Sequence, residues 1–110
     1  MTRSDDERIE DMLEACRELM ELVARGRQAF DRERTVALAV ERLLEIVGEA
    51  ANALADATRA RYSTVPWRDI TRLRILLAHH YHRVDADLVW RIAAEQVALL
   101  RAALEGSSGS

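Results

Sequence analysis

Apolar residues return at helical spacing along the first quarter of the chain. Ile9, Met12, Leu13, Cys16, Leu19, Met20 and Val23 follow the i, i+3, i+4, i+7 pattern, while Glu10, Glu14, Arg17, Glu18 and Glu21 fall on the opposite side. The pattern predicts an amphipathic helix. Its start is marked by Ser4-Asp5-Asp6-Glu7, in which a Ser side chain caps the first turn, a Glu three residues on reaches back, and acidic groups suit the positive end of the helix dipole. Gly26 ends this helix or begins the turn after it.

A second long helix is expected from near Asp31 or Thr35 to about Arg61, burying Val36, Val40, Leu43, Leu44, Val47, Ala51 and Leu54. Within it, Gly48-Glu49-Ala50-Ala51 is a run of mostly small residues. A helix-interior Gly costs about 1 kcal/mol relative to Ala, so Gly48 is expected to permit close approach of another helix. Tyr62-Ser63-Thr64-Val65 then connects to Pro66, whose fixed φ suits the first turn of a third helix with Trp67, Ile70, Leu73 and Leu77 as its core stripe. Asp85 offers an N-cap for a last helix carrying Val89, Ala93, Val97, Leu100 and Leu104. No strand-period segment, internal repeat or heptad array interrupts this picture. The expectation is an all-α, up-and-down bundle of four to five helices formed by residues 1–105. Residues 106–110, Gly-Ser-Ser-Gly-Ser, have the composition of a flexible linker, consistent with an appended tag remnant, and are set aside as a tail.

With 110 residues there is material for one domain and one core. Uncharged apolar stretches such as 37–40 and 75–78 fall far short of the ~20 residues that span a bilayer, and the first residues lack the apolar core of a signal peptide. A cytoplasmic protein without a membrane partner is expected. Cys16, the one cysteine, lies among the apolar positions of the first helix and reads as a small buried hydrophobe. All 16 basic residues are Arg, and the net charge of -3 argues against nonspecific coating of nucleic acid while leaving room for a local basic site.

Such a site is suggested at the end of the third helix, where Arg74, His79 and Tyr81 form R-x4-H-x-Y. A permanently charged guanidinium can neutralise a phosphate, and an imidazole that titrates near neutral pH can move a proton. Together they would suffice for RNA cleavage without a metal: the 2′-hydroxyl attacks its own phosphorus, His79 removes or returns a proton, and Arg74 stabilises charge on the phosphoryl oxygens. Residues five apart on an ideal helix diverge by about 140°, so either the helix ends near His79 or two copies share a cleft across a symmetric interface; a contribution from both is expected. Arg72 shares the face of His79 and competes with Arg74 as phosphate ligand. Arg68, Arg72, His80, His82 and Arg83 gather further basic groups as candidate RNA contacts.

Each of these features has a plainer structural reading. Arg74 would pair with a carboxylate such as Glu49, His79 would end a helix, and Tyr81 would be amphipathic with a wet hydroxyl. His79, His80 and His82 invite a metal, but neighbouring helical residues diverge and no Glu-x-x-His pair is present, so no metal ligand is assigned. The acidic rows Glu41, Glu45, Glu49 and Glu10, Glu14, Glu18, Glu21 read as solvated faces, and Trp67 and Trp90 as core residues.

Read together with residues 42–51 (RLLEIVGEAA), the lead-in Pro66-Trp67-Arg68-Asp69-Ile70 and residues 84–90 (VDADLVW), the motif resembles the HepT-like branch of the HEPN superfamily over nearly the whole chain up to Leu104. The resemblance makes Arg74, rather than Arg72, the matching Arg. It implies a helical bundle that dimerises with the Arg and His motifs facing each other near the interface. It also implies a metal-independent endoribonuclease acting on tRNA or mRNA as the toxin of a type II- or VII-like bacterial toxin–antitoxin pair. The implied antitoxin is a minimal nucleotidyltransferase that uses ATP to place AMP on the motif Tyr, here Tyr81, or simply occludes the site; the toxin itself needs no cofactor. Where the family usually has a polar residue directly after the motif Arg, most often Asn, this chain has Ile75, and Arg72 replaces a commonly small residue. The alternative is therefore a catalytically inactive HEPN-type dimeric interaction module.

Overall fold

A computed structural model describes residues 3–78 and 85–108 of the chain. Its helices are α1 (Asp5–Ala24), α2 (Arg27–Arg32), α3 (Arg34–Ala53), α4 (Asp56–Arg61), α5 (Trp67–Ala78), α6 (Ala86–Arg91) and α7 (Val97–Ser108), with a π-helical segment, Ile92–Gln96, joining the last two. There is no strand among the described residues, and the all-α bundle expected from the patterning is the observed architecture. The long α1 and α3 lie against each other, α5 packs on α3, and α7 packs on α1.

The start of α1 is built as its sequence dictates. The Ser4 hydroxyl accepts from the Glu7 N–H at 3.1 Å, and the Glu7 carboxylate accepts from the Ser4 N–H at 2.9 Å. Two donors that a helix end leaves orphaned are thereby satisfied. At the other end Gly26 adopts φ +93°, ψ 162°, a conformation closed to side chains with a Cβ, and turns the chain into α2. The apolar stripe of α1 is buried at Ile9, Met12, Leu13, Cys16 and Leu19, opposite Val36, Val40, Leu44, Val47 and Ala51 of α3.

The second helix is not continuous from residue 31 or 35 to 61. The short α2 precedes it, and α3 stops at Ala53 because Leu54 turns to an extended conformation with its side chain buried; α4 then starts afresh. The break is held by Asp5 at the far end of α1. Its carboxylate accepts from the Ala55 N–H at 3.1 Å and from the buried Thr58 hydroxyl, so the first turn of α1 supplies the acceptor for the first turn of α4. Periodicity could not reveal this, since Leu54 keeps the stripe intact through the break.

The connector after α4 also contributes to the core. Tyr62 and Val65 are buried, and the Trp67 indole N–H donates to the Arg59 and Tyr62 carbonyls at 2.9 and 3.1 Å. Pro66 then opens α5 as expected, its carbonyl accepting from the Asp69 and Ile70 N–H groups. Asp85 caps α6 by accepting from the Leu88 N–H at 3.1 Å. Trp90 packs on Phe30 of α2, with ring centroids 5.4 Å apart, and Arg27 bridges Asp31 and Asp87 at 2.9 and 2.7 Å.

The π segment was not foreseen. Val89, Ala93 and Val97 are spaced by four and four, which in an α-helix would carry the stripe about 80° around the axis; a π turn spends one residue more and returns Val97 to the buried line. All five predicted core positions from Val89 to Leu104 are buried. Beyond them α7 continues through Gly106 to Ser108, past the boundary at residue 105 where the sequence reading began a tail. No helix among the described residues is long and apolar enough to cross a membrane.

Candidate functional site

Arg74 lies in α5 between two elements of the core. Leu73 and Leu77 are buried, Arg74 itself is exposed, and Ile70 a turn earlier is buried. Its backbone is pressed against α3 at one point: a Cβ on Gly48 would stand 2.9 Å from the Arg74 nitrogen, 3.3 Å from the Leu73 Cβ and 3.4 Å from the Arg74 Cβ. Real side chains do not tolerate the first of these distances. The absence of a side chain at position 48 is therefore what lets α3 and α5 cross here, as the sequence suggested, and the crossing falls on the motif Arg.

Among the described residues, Arg74 forms no ion pair or hydrogen bond. The pairing with Glu49 that the plainer reading offered as an example is not made. Glu49 instead faces Arg42 on its own helix at 3.5 Å, and Arg42 also stands 3.8 Å from Glu45. An exposed guanidinium with no carboxylate on it has its N–H donors open to an external anion.

Helix geometry separates the two competing arginines. Around α5, Arg74 is about 100° from buried Leu73, on the flank that meets α3, whereas Arg72 lies about 100° to the other side of Leu73. Arg68 and Ile75 point away from the core, and Ile75 is 52% exposed. Arg68 and Arg72 thus lie on a surface distinct from the Arg74 flank. His79, Tyr81 and the candidate contacts His80, His82 and Arg83 lie outside the described residues. The described chain brackets them: α5 ends at Ala78 and the Asp85 cap restarts helix on the other side.

Away from the motif, the charged groups behave as structural or solvated features. Asp5 is held below the usual carboxylate range, first by the Thr58 hydroxyl and then by the Ala55 N–H and Arg8. Glu7 is lowered by the backbone and side chain of its capping partner Ser4. Burial pushes the Cys16 thiol up to about 11, which leaves it protonated and without nucleophilic character at neutral pH. Glu41 is raised by partial burial and the neighbouring Glu45. Trp67 and Trp90 are both packed against the core.

The sequence that builds this bundle and places Arg74 on α5 also matches a known family. The chain belongs to the family described as Ribonuclease HepT-like, whose profile matches residues 12–106. Among similar proteins, a probable ribonuclease HepT of Thermococcus cleftensis is 33% identical over 107 residues, covering 96% of this chain and 96% of its own. A presumed RNase of Methanocaldococcus jannaschii is 31% identical over 96 residues, 86% of this chain and 88% of that protein. A presumed RNase of Caldanaerobacter subterraneus is 31% identical over 90 residues, covering 81% and 80% of the two chains. No solved structure gives a significant match. The HepT-like resemblance read from the motif and its flanks is thus established at the level of family.

Sequence reasoning identified Arg74 and Gly48 separately and missed their contact. Small residues at 48–51 signalled a close helix approach without saying which helix, or which residue on it, came near. It also missed Thr58 and Asp5 as partners, because a tertiary hydrogen bond across about fifty residues leaves no local pattern.

Proposed function

We propose that this chain is a metal-independent endoribonuclease toxin, cutting tRNA or mRNA with Arg74 and His79 in a composite site at the interface of a homodimer. The observation that carries the reading is the exposed Arg74, free of carboxylate partners among the described residues and rigidly based, in a chain of the HepT-like family. In the reaction the RNA 2′-oxygen attacks the adjacent phosphorus and the bond to the 5′-oxygen breaks, leaving a 2′,3′-cyclic phosphate and a 5′-hydroxyl. One His79 takes the 2′-hydroxyl proton, and the second, from the other copy, returns a proton to the leaving oxygen. Arg74 neutralises the charge that grows on the non-bridging oxygens in between.

His80, His82 and Arg83, next to His79 in the chain, are proposed to meet the RNA backbone beside the cleft, and Arg68 and Arg72, on another surface of α5, only where the RNA extends beyond it. The antitoxin partner is a nucleotidyltransferase. Attack of the Tyr81 hydroxyl on the α-phosphorus of ATP, with pyrophosphate leaving, would place a bulky anion beside the cleft; binding of the partner over the same face would have a similar effect. The reading is tested by incubating the purified chain with tRNA in the presence of a chelator. Wild type is expected to cut, and His79→Ala to lose about 100- to 10,000-fold in rate, the range of general acid–base help. Equal cleavage by both proteins would refute the assignment.

A second reading, an inactive HEPN-type dimeric module that retains the partner surfaces, is favoured by one observation. Ile75 is 52% exposed next to Arg74, at the position where the family usually has a polar residue. If the module reading holds, wild type leaves all RNAs intact and Ile75→Asn gains cleavage.

A further inference from the structure

We propose that Gly48 is a positioning residue for Arg74: by admitting the Arg74 backbone to within a Cβ's reach of α3, it fixes where the guanidinium meets a phosphate. The proposal rests on the ribonuclease reading and deepens it. Helix α5 carries Arg74 on the flank that meets α3, its side chain exposed and held by no ion pair or hydrogen bond among the described residues. What the fold can set is therefore the origin of the side chain, the Arg74 backbone, from which the guanidinium reaches out. That backbone is set at one crossing, where the point of tightest approach is the Arg74 nitrogen itself, 2.9 Å from the place a Cβ on residue 48 would occupy.

The neighbours cannot relieve such a clash cheaply. The nearest atom is main chain inside a helix rather than the end of a flexible side chain, and the next is the Leu73 Cβ at 3.3 Å. Leu73 is itself buried, flanked along α5 by buried Ile70 and Leu77. A methyl group at position 48 would thus move α5 as a rigid body and take Arg74 with it. Displacements of about 1 Å away from the reacting atoms can cost ~100-fold in rate when orientation carries the catalysis.

The test is a double-mutant cycle on the full chain, using wild type, Gly48→Ala, Arg74→Ala and the double variant. Cleavage of tRNA is measured well below each protein's melting temperature, alongside affinity for an uncleavable 2′-O-methyl RNA. If Gly48 acts through Arg74, Gly48→Ala lowers cleavage at least tenfold in the wild-type background and changes it less than twofold when Arg74 is already Ala. Equal losses in both backgrounds would make Gly48 a purely structural residue, and no loss in either would remove it from the site; each overturns the proposal. Should Gly48→Ala fail to fold, Leu73→Val perturbs the same crossing from α5, with the same coupling to Arg74 expected. A wild type that cuts no RNA would refute the ribonuclease reading alone, because the cycle is then read in RNA affinity. There, absence of coupling, or of any RNA binding, overturns the positioning role.

Discussion

Individual residues fix the ends of the helices here, and their contributions can be separated by chemistry. Gly26, at φ +93° and ψ 162°, occupies a region that costs other residues of order 1–3 kcal/mol. Gly26→Ala is therefore expected to lower the free energy of unfolding by about 1–3 kcal/mol in urea titration. Gly106→Ala, with open space around it in a helix, is expected to leave stability unchanged or raise it slightly. Asp5 differs in being titratable. Its folded-state pKa lies below the ordinary carboxylate value because Thr58 and the Ala55 N–H favour the charged form. Its stabilising contribution is accordingly complete above the unfolded pKa, near pH 4, and disappears as pH falls through the lowered folded value. Asp5→Asn should flatten the acid-unfolding profile from about pH 4 downward, measured by circular dichroism; an unchanged profile would show that the strap from α1 to α4 does not contribute.

At the scale of elements, the bundle is organised around α3, which meets α1 on one face and α5 on another. Leu44 is almost completely enclosed in that helix, so Leu44→Ala is expected to cost about 2–5 kcal/mol, in the range for burial lost plus cavity left. The helical periods of α1, α5 and the last helical run were legible because burial repeats at 3.6 residues wherever one face meets the core. The end of α3 was not, because Leu54 satisfies the buried stripe whether or not the backbone stays helical. At the break Asp5, distant in sequence, accepts from the Ala55 N–H and the Thr58 hydroxyl, contacts that no local pattern announces. The π segment was hidden for a similar reason: four-residue spacings fit loosely on an α-helix and well on a widened turn, and the pattern alone does not choose. The linker-like composition of 106–108 likewise gives no sign that the helix runs on to Ser108.

For the molecule as a whole, the consequence of placing Arg74 on the flank of α5 is that one chain need not complete its own site. On an ideal helix Arg74 and a residue five positions later diverge by about 140°, and in the proposed homodimer a second copy related by a two-fold axis would resolve this by presenting its own His79. Mixing Arg74→Ala with His79→Ala, each strongly impaired alone, is therefore expected to raise cleavage above either variant, to no more than about a quarter of the wild-type level. About half of the dimers are mixed, and each rebuilds one of its two Arg and His pairs, with a single imidazole left to serve as base and acid. No recovery, with mixed dimers demonstrated by mass spectrometry, would place both groups of a site in the same chain.

The amino-acid sequence by itself determined the helical class, the buried stripes, the caps at Ser4, Pro66 and Asp85, and the family, because each of these follows from local spacing or from residues that act where they stand. Arg74 and Gly48 were also visible in it as separate features. Only the tertiary structure decided that they meet, that Glu49 turns to Arg42 and leaves Arg74 unpaired among the described residues, and that α3 breaks at Leu54 under the hold of Asp5. Glu49 and Arg42 are seven positions apart on one helix, but the other two contacts join residues some twenty to fifty positions apart. Such contacts depend on how rigid helices cross, and a crossing is set by the packing of whole faces rather than by any one position along the chain.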